Sequence, residues 1–299
     1  MSTNHSDADA TRRAAYRSIR SIFETPIMDD YKWAKIPDIP ADMIFLDLED
    51  SVPPASKEPA RERAVGYLRD PSFFGGRPTL ARPNHLSTVW GREDVIALAE
   101  AGVGCMAYPK LESYEELLEI IELLAEHGAT PDIYAIVEAS GAMMDIKEIS
   151  RHPQVVSLMF GPGDMSVEMG IPLLEPNGDL NPVFQPMKSQ AVVAAAAAHI
   201  GVSDIVYAPD YRDYAEVRRR GVESRRQGFT ALSTFYPPHV AIIHEIFTPS
   251  AEEIEAAQEL IELYEEVLAQ GRPAALTASG ETVLVHDYEK ARSLVARAR

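Results

Sequence analysis

Eight short apolar runs, each closed by a polar or turn residue, recur along the chain and alternate with segments whose apolar positions repeat at helical spacing. The runs are RSIFET (20–25), MIFLDLED (43–50), PTLARPN (78–84), VGCMAYPK (103–110), DIYAIVEA (132–139), VVSLMFGPGDM (155–165), DIVYAPD (204–210) and TALSTFYP (230–237). Between them, YEELLEIIELLAEHG (114–128) puts Leu117, Ile120, Ile121 and Leu124 on one face and stops at Gly128, a residue that takes the left-handed conformation of a helix end without strain. Near-continuous apolar strands joined by helical crossovers predict a parallel sheet covered by helices. Eight of them at this length predict an α/β fold closed as a (β/α)₈ TIM barrel, with a doubly wound sheet as the alternative.

The pattern also divides the chain. Residues 1–15 are polar, lack a signal-like apolar core and read as a disordered tail, so the barrel is expected over 16–249. The turn-rich LLEPNGDLNPVFQP (173–186) predicts a loop over one barrel mouth. Ser250 and Glu253 have the S-x-x-E spacing of a capping box and open a helix to about Gln270. A turn-rich stretch, a short strand in TVLVHD and a last helix in YEKARSLVARA complete a helical and hairpin appendage over 250–299, expected to pack on the barrel or on a neighbouring subunit.

Composition narrows the function. With 46 acidic against 28 basic residues and a formal charge of −18, the chain is poorly suited to nucleic acid, and an anionic ligand must be met by locally placed cations or a metal. AVVAAAAAHIGVSDIVYA is interrupted by His199 and Asp204 and makes no membrane span. The single cysteine, Cys105, excludes an internal disulfide and fits a reducing compartment, so a cytoplasmic protein is expected, with Cys105 an inert buried thiol.

The strand ends carry the candidate chemistry, because the active site of such a barrel forms at its C-terminal mouth. They present Glu24, Glu49 with Asp50, Arg82 with Asn84, Lys110, Glu138, Asp164, Asp210, and Tyr236 near His239. Glu138 and Asp164, from adjacent strands, offer two hard oxygens for a Mg²⁺ site completed by water and a 2-oxo or 2-hydroxy acid; the plainer alternative is that both cap helices. Neither a His/Cys cluster for zinc nor a P-loop nor a dinucleotide fingerprint is present in the sequence. Arg82 needs a carboxylate or anionic ligand to offset its burial, Asn84 could bond the same ligand, and Glu49 with Asp50 are its expected partners; a purely structural ion-pair ring is the alternative. Lys57 sits on the following helix, either solvated or in contact with a phosphate.

At these residues the chain resembles the citrate lyase β-subunit-like branch of the HpcH/HpaI aldolase family, which includes malyl-CoA and citramalyl-CoA lyases. The resemblance covers most of the chain through RSIF (20–23), FLDLEDSVPPASKEPAR (45–61), ARPNHLSTVWGREDV (81–95), YPKLESYEEL (108–117), IVEASGAMMDIKEI (136–149), FGPGDMSVEMG (160–170) and HEIFTPSAEEIEAAQELIELYEE (244–266). It implies a Mg²⁺-dependent carbon–carbon lyase of a 2-hydroxy acid or its CoA thioester, with Glu138 and Asp164 on the metal and Arg82 on the reacting oxygen. Glu49 and Asp50 would support Arg82 and metal-bound water, while Lys110, Arg20 and Lys57 join Asn84 as candidate substrate contacts. Asp287, in VHDYEKAR, matches a C-terminal aspartate proposed as acid/base from a neighbouring subunit, which implies a homo-oligomer, trimer or hexamer; capping of the last helix is its alternative role. The chain departs from the family at STFYPPHV, where many relatives carry a lysine and a His-Pro step, and at ETP, where an apolar-Pro-Gly is more usual in a region that lies near the CoA phosphates in the family. An acyl-CoA thioesterase, a CoA-independent pyruvate-type aldolase and a non-catalytic or carrier-dependent lyase subunit are the alternative functions.

Overall fold

A computed structural model describes residues 3–205 and 207–297. Eight parallel strands close in chain order into a barrel: β1 (Ser21–Pro26), β2 (Met43–Asp47), β3 (Thr79–Arg82), β4 (Cys105–Tyr108), β5 (Asp132–Val137), β6 (Val155–Phe160), β7 (Gly201–Ile205) and β8 (Ala231–Thr234). Helices α1 (Thr3–Arg17), α2 (Asp30–Trp33), α3 (Lys57–Arg69), α4 (Gly91–Glu100), α5 (Tyr114–Glu126), α6 (Ser140–Met144), α7 (Ile146–Arg151), α8 (Pro162–Glu168), α9 (Phe184–Ala198) and α10 (Tyr214–Gln227) precede or connect them, and α11 (Pro238–Phe247) follows the last. The closed barrel, and not the doubly wound sheet, is therefore the fold.

Strand alternation explains why the mouth is charged. Ile22, Phe45, Leu80 and Ile136 belong to one buried cluster inside the barrel, together with Met43, Cys105 and Tyr134. Because side chains of a strand return to the same face every second residue, the next inward positions along those four strands are Glu24, Asp47, Arg82 and Glu138. A second, larger cluster lies between the strands and the surrounding helices and includes Leu117, Ile120 and Leu124 of α5, whose chain turns away at Gly128 with φ of 75°. Cys105 is free and buried, and burial pushes its thiol up, away from the reactive thiolate.

Two segments differ from the sequence expectation. The N-terminal tail forms α1, held to the barrel by Arg12, which donates to Asp132 Oδ1 at 2.6 Å, by Arg13, which donates to Ala198 O at 2.8 Å, and by Tyr16, edge-on to Tyr134 with ring centres 5.8 Å apart. Those partners are distant in sequence, so local polarity alone reads as disorder; Met1 and Ser2 of that segment lie outside the described residues. The seventh strand begins at Gly201, earlier than DIVYAPD, because His199 takes a left-handed conformation (φ 55°) and ends α9. Val206, within that motif, lies outside the described residues.

The chain divides at His244 into two compact units. In the second, Ser250 and Glu253 form the expected capping box of α12 (Ala251–Ala269). A two-stranded antiparallel hairpin, β9 (Ala275–Leu276) with β10 (Thr282–Val283), leads to α13 (Val285–Arg297). Among the described residues no helix is long and apolar enough to cross a membrane.

Candidate active site

Asp47 organises the second strand end. Fully buried, its Oδ1 accepts the Glu49 N–H at 2.9 Å and the Arg82 Nε–H at 2.7 Å, while Oδ2 accepts the Ser51 N–H at 3.0 Å. Burial alone would push this carboxyl up, but the charge and hydrogen bond of Arg82, with the Ser51 and Glu49 donors, outweigh it and hold the group at about 2. The tethered loop delivers Glu49 to both cations of the site, 3.3 Å from Arg82 Nη1 and 2.5 Å from Lys110 Nζ.

Arg82 thus spreads its fork over three carboxylates: Nε to Asp47, Nη1 to Glu49 and Nη2 to Glu24 at 3.4 Å, with Asp50 farther at 3.9 Å. Desolvation opposes its charge, yet Asp47, Glu24 and Glu49 raise it well above the ordinary value. Asp47, absent from the expected partners, is the primary one, and Glu49 with Asp50 come second. The period-two count from Phe45 identifies it in the sequence.

Glu138 reaches the mouth through two backbone accommodations. Lys110 adopts φ of 49°, which turns its N–H onto Glu138 Oε1 at 2.7 Å. On the other side Gly161 makes room: a Cβ there would stand 2.9 Å from Glu138 Cβ and 3.0 Å from Oε2. Gly161→Ala is therefore expected to displace the glutamate at a cost of about 1–3 kcal/mol, measured by urea denaturation; an unshifted midpoint would show that the strand ends can spread. Burial pushes Glu138 up to about 7, only partly offset by the Lys110 N–H and Arg82, with Glu49 and Asp164 adding repulsion. Burial likewise pushes Glu24 up to about 7, against the pull of Arg82.

Asp164 lies in the first turn of α8, whose N-cap position is Gly161 and makes no side-chain capping bond. Its carboxylate is partly exposed, with Lys110 Nζ at 3.9 Å. Asp164, Glu138 and Arg82 line one cavity of about 240 Å³, shared with Tyr207 and Ser233. The two carboxylates suit a hydrated divalent ion. Among the described residues no group of three His, Cys, Asp or Glu is placed to enclose a metal, as zinc would require, whereas Mg²⁺ takes one or two carboxylates and retains water and substrate oxygens. A cation there would also offset the burial that pushes Glu138 toward its neutral form.

Other expected residues are placed elsewhere or otherwise engaged. Asn84 is buried, its amide donating to Leu48 O at 2.9 Å and Asp94 Oδ2 at 2.6 Å, so it braces the strand end and does not reach the cavity. Lys57 is neither solvated nor open to a phosphate: its buried ammonium donates to the carbonyls of Leu48 and Glu49 at 2.9 and 2.7 Å. Arg20 precedes β1 at the opposite end of the barrel, paired with Asp42 through Nε at 2.9 Å and Nη2 at 2.7 Å. Lys110 is bound to Glu49 and to Asp50 at 3.3 Å, rimming the site as a bridge between carboxylates. Asp210 accepts the Arg212 N–H at 2.8 Å in a turn beyond β7, and His239 is buried between Thr234 Oγ1 and Tyr211 O. Asp287, in the second unit, accepts the Leu284 N–H at 3.0 Å and so caps α13 from within its first turn. The sequence reading missed Tyr207; with β7 started at Gly201, it becomes the first large residue past that strand's end.

A family model described as HpcH/HpaI aldolase/citrate lyase matches residues 25–237. The (3S)-malyl-CoA thioesterase of Cereibacter sphaeroides (strain KD131 / KCTC 12085) is 28% identical over 281 residues, which cover 93% of this chain and 94% of that protein. The mitochondrial citramalyl-CoA lyase of Homo sapiens is 28% identical over 296 residues, 93% of this chain and 85% of that one. The solved structure of CitE from Mycobacterium tuberculosis in complex with magnesium, acetoacetate and coenzyme A shares the fold with a TM-score of 0.79 at 23% identity, over 94% of this chain and 99% of that one.

Proposed function

The chain belongs to the HpcH/HpaI aldolase/citrate lyase family, and on that premise we propose that it is a Mg²⁺-dependent carbon–carbon lyase of a 2-hydroxy acid carried as a CoA thioester, with the thioester β to the hydroxyl, releasing a 2-oxo acid and an acyl-CoA. The observation that carries this reading is the meeting of Glu138, Asp164 and Arg82, from three different strand ends, on one cavity. The lyase and thioesterase names of its relatives support the substrate class, and the magnesium in the CitE complex supports the metal.

Glu138 and Asp164 would hold the ion, which supplies Lewis-acid polarisation of the substrate's hydroxyl and carboxylate oxygens. Arg82 is fixed before the substrate arrives, because each arm of its fork already has a carboxylate partner. A guanidinium held in that way can stabilise an enolate oxygen without reorganising, an effect typically larger than that of a single general base. Lys110 keeps Glu49 against Arg82 and steadies Glu138 through its backbone N–H. Asp287, contributed by a neighbouring copy in a homo-oligomer, completes the proposal as the group that moves the proton at the enolate carbon.

The test is release of glyoxylate from malyl-CoA, or pyruvate from citramalyl-CoA, by the purified chain with and without Mg²⁺. Release that is metal-dependent and yields acetyl-CoA is expected; its absence from both substrates would end the lyase reading. The thioesterase relative favours a second reading, in which the thioester is hydrolysed in place of the carbon–carbon bond, and free CoA thiol appearing with intact malate identifies it. Metal affinity should also depend on pH. With the Glu138 carboxyl pushed up to about 7, Mg²⁺ must displace a proton below that value, so calorimetry is expected to record affinity falling about tenfold per pH unit below about pH 7. Affinity unchanged between about pH 5.5 and 7 would remove Glu138 from the metal shell.

A further inference from the structure

A second cavity, of about 410 Å³, lies beside the first and shares two wall residues with it, Ile205 and Tyr207. It is covered by the loop between α8 and α9, where Asn177 and Asp179 stand, and bounded by α10 through Arg220 and Ser224. Lys188 and Asp204 are more than nine-tenths buried in its lining, joined by an ion pair, and Ser224 also donates to Asp204. The proposed cleavage uses none of these groups. Three cations and four carboxylates line the chamber, and Lys188 with Asp204 and Arg220 with Asp179 are already paired, so a neutral polar group, which finds both donors and acceptors, suits it better than a full charge of either sign.

Tyr207 is fastened in the wall between the two spaces. Its hydroxyl stands against Gly163, and the approach depends on glycine, since a Cβ there would come within 3.3 Å of that oxygen. That contact sets the hydroxyl beside the residue before Asp164, so the side chain closes the catalytic cavity next to one of its carboxylates.

We infer that Tyr207 is a specificity-determining residue: its ring limits the length of the 2-oxo acid fragment, and the polar chamber behind it is the space a longer fragment with a neutral polar end would occupy. The inference rests on the lyase reading. Its two components separate by substitution, because Tyr207→Phe removes the hydroxyl beside Gly163 and keeps the ring as the wall, while Tyr207→Ala removes both.

The experiment is calorimetric binding of pyruvate and of 2-oxoglutaramate, whose terminal amide donates and accepts, to each chain in the presence of Mg²⁺. The wild type is expected to prefer pyruvate by about tenfold or more, and Tyr207→Ala to shift that ratio toward 2-oxoglutaramate by about tenfold or more, the scale on which pocket shape discriminates. Tyr207→Phe should keep the wild-type ratio even if both acids bind more weakly. An alanine variant that still binds pyruvate with an unshifted ratio overturns the partition, as does a phenylalanine variant that shifts equally. A wild-type chain that binds neither acid overturns the lyase reading, and the inference with it. Should the alanine chain fail to fold, Tyr207→Leu must give the same shift.

Discussion

Glu138→Gln and Asp164→Asn are each expected to cut Mg²⁺-dependent release of a 2-oxo acid by more than about a thousandfold, roughly 4 kcal/mol of transition-state stabilisation. Each exchange is nearly isosteric, so the loss comes from charge. The two variants should differ in stability. Glu138 is buried and its folded carboxyl is pushed up to about 7, above the 4.5 of a free glutamic acid, so the metal-free folded state holds a proton that the unfolded chain releases. Its contribution to stability is complete below about pH 4.5 and is lost as pH rises through about 7, a difference on the order of 3 kcal/mol. The substituted amide carries no such charge, while its carbonyl can still accept the Lys110 N–H. Glu138→Gln is therefore expected to be catalytically dead yet more stable than the metal-free wild type at pH 8, with little difference at pH 5, by urea unfolding. Full activity in either variant would refute the metal assignment.

The barrel was legible because its strands are buried on both faces and therefore read as apolar runs, each ended by a turn signal. What failed needed partners far away in the chain. α1 depends on Asp132 and on the carbonyl of Ala198, which no local window contains. The start of β7 was hidden because AVVAAAAAHIG is apolar on both sides of His199, and only the left-handed turn at that residue divides helix from strand. Within the site, Glu138, Asp164 and Arg82 were legible as strand-end charges, and they do share a cavity. Asn84 and Lys57 are engaged away from the cavity for one reason: a polar residue beside a strand end has two possible destinations, the substrate or the unsatisfied backbone of the neighbouring loop. Here both bind the Leu48 carbonyl. Buried carbonyls must find donors, and a β2 loop that turns sharply over Asp47 leaves one exposed that strand pairing does not satisfy.

Arg82→Met should produce the largest combined loss, because the guanidinium balances the mouth as well as serving the reaction. Without it, the fully buried Asp47, the buried Glu49 and the partly buried Glu24 face one another with Lys57 and Lys110 as the nearby cations, of which only Lys110 is bound to a carboxylate of the three, Glu49. Removing one partner of a buried charge network leaves the others uncompensated, typically at about 3–5 kcal/mol. The pH dependence gives this origin a signature. In the wild type Asp47 is held at about 2, so its stabilising contribution is present above the pKa of an unfolded aspartate, 3.8, and is lost only as pH falls through about 2. Without Arg82 that carboxyl loses its main opponent to burial and rises with Glu24, so the variant is penalised most where all three groups are ionised. The stability gap from wild type is thus expected to be widest near pH 8 and to narrow toward pH 5, with 2-oxo acid release undetectable throughout. Arg82→Lys separates the two roles: one ammonium restores part of the charge balance, but a point donor cannot address Asp47, Glu49 and Glu24 at once as the fork does. Recovery of folding without recovery of turnover is the expected result. A lysine variant with wild-type turnover would mean that charge at this position suffices and that the fixed fork does not contribute to the chemistry.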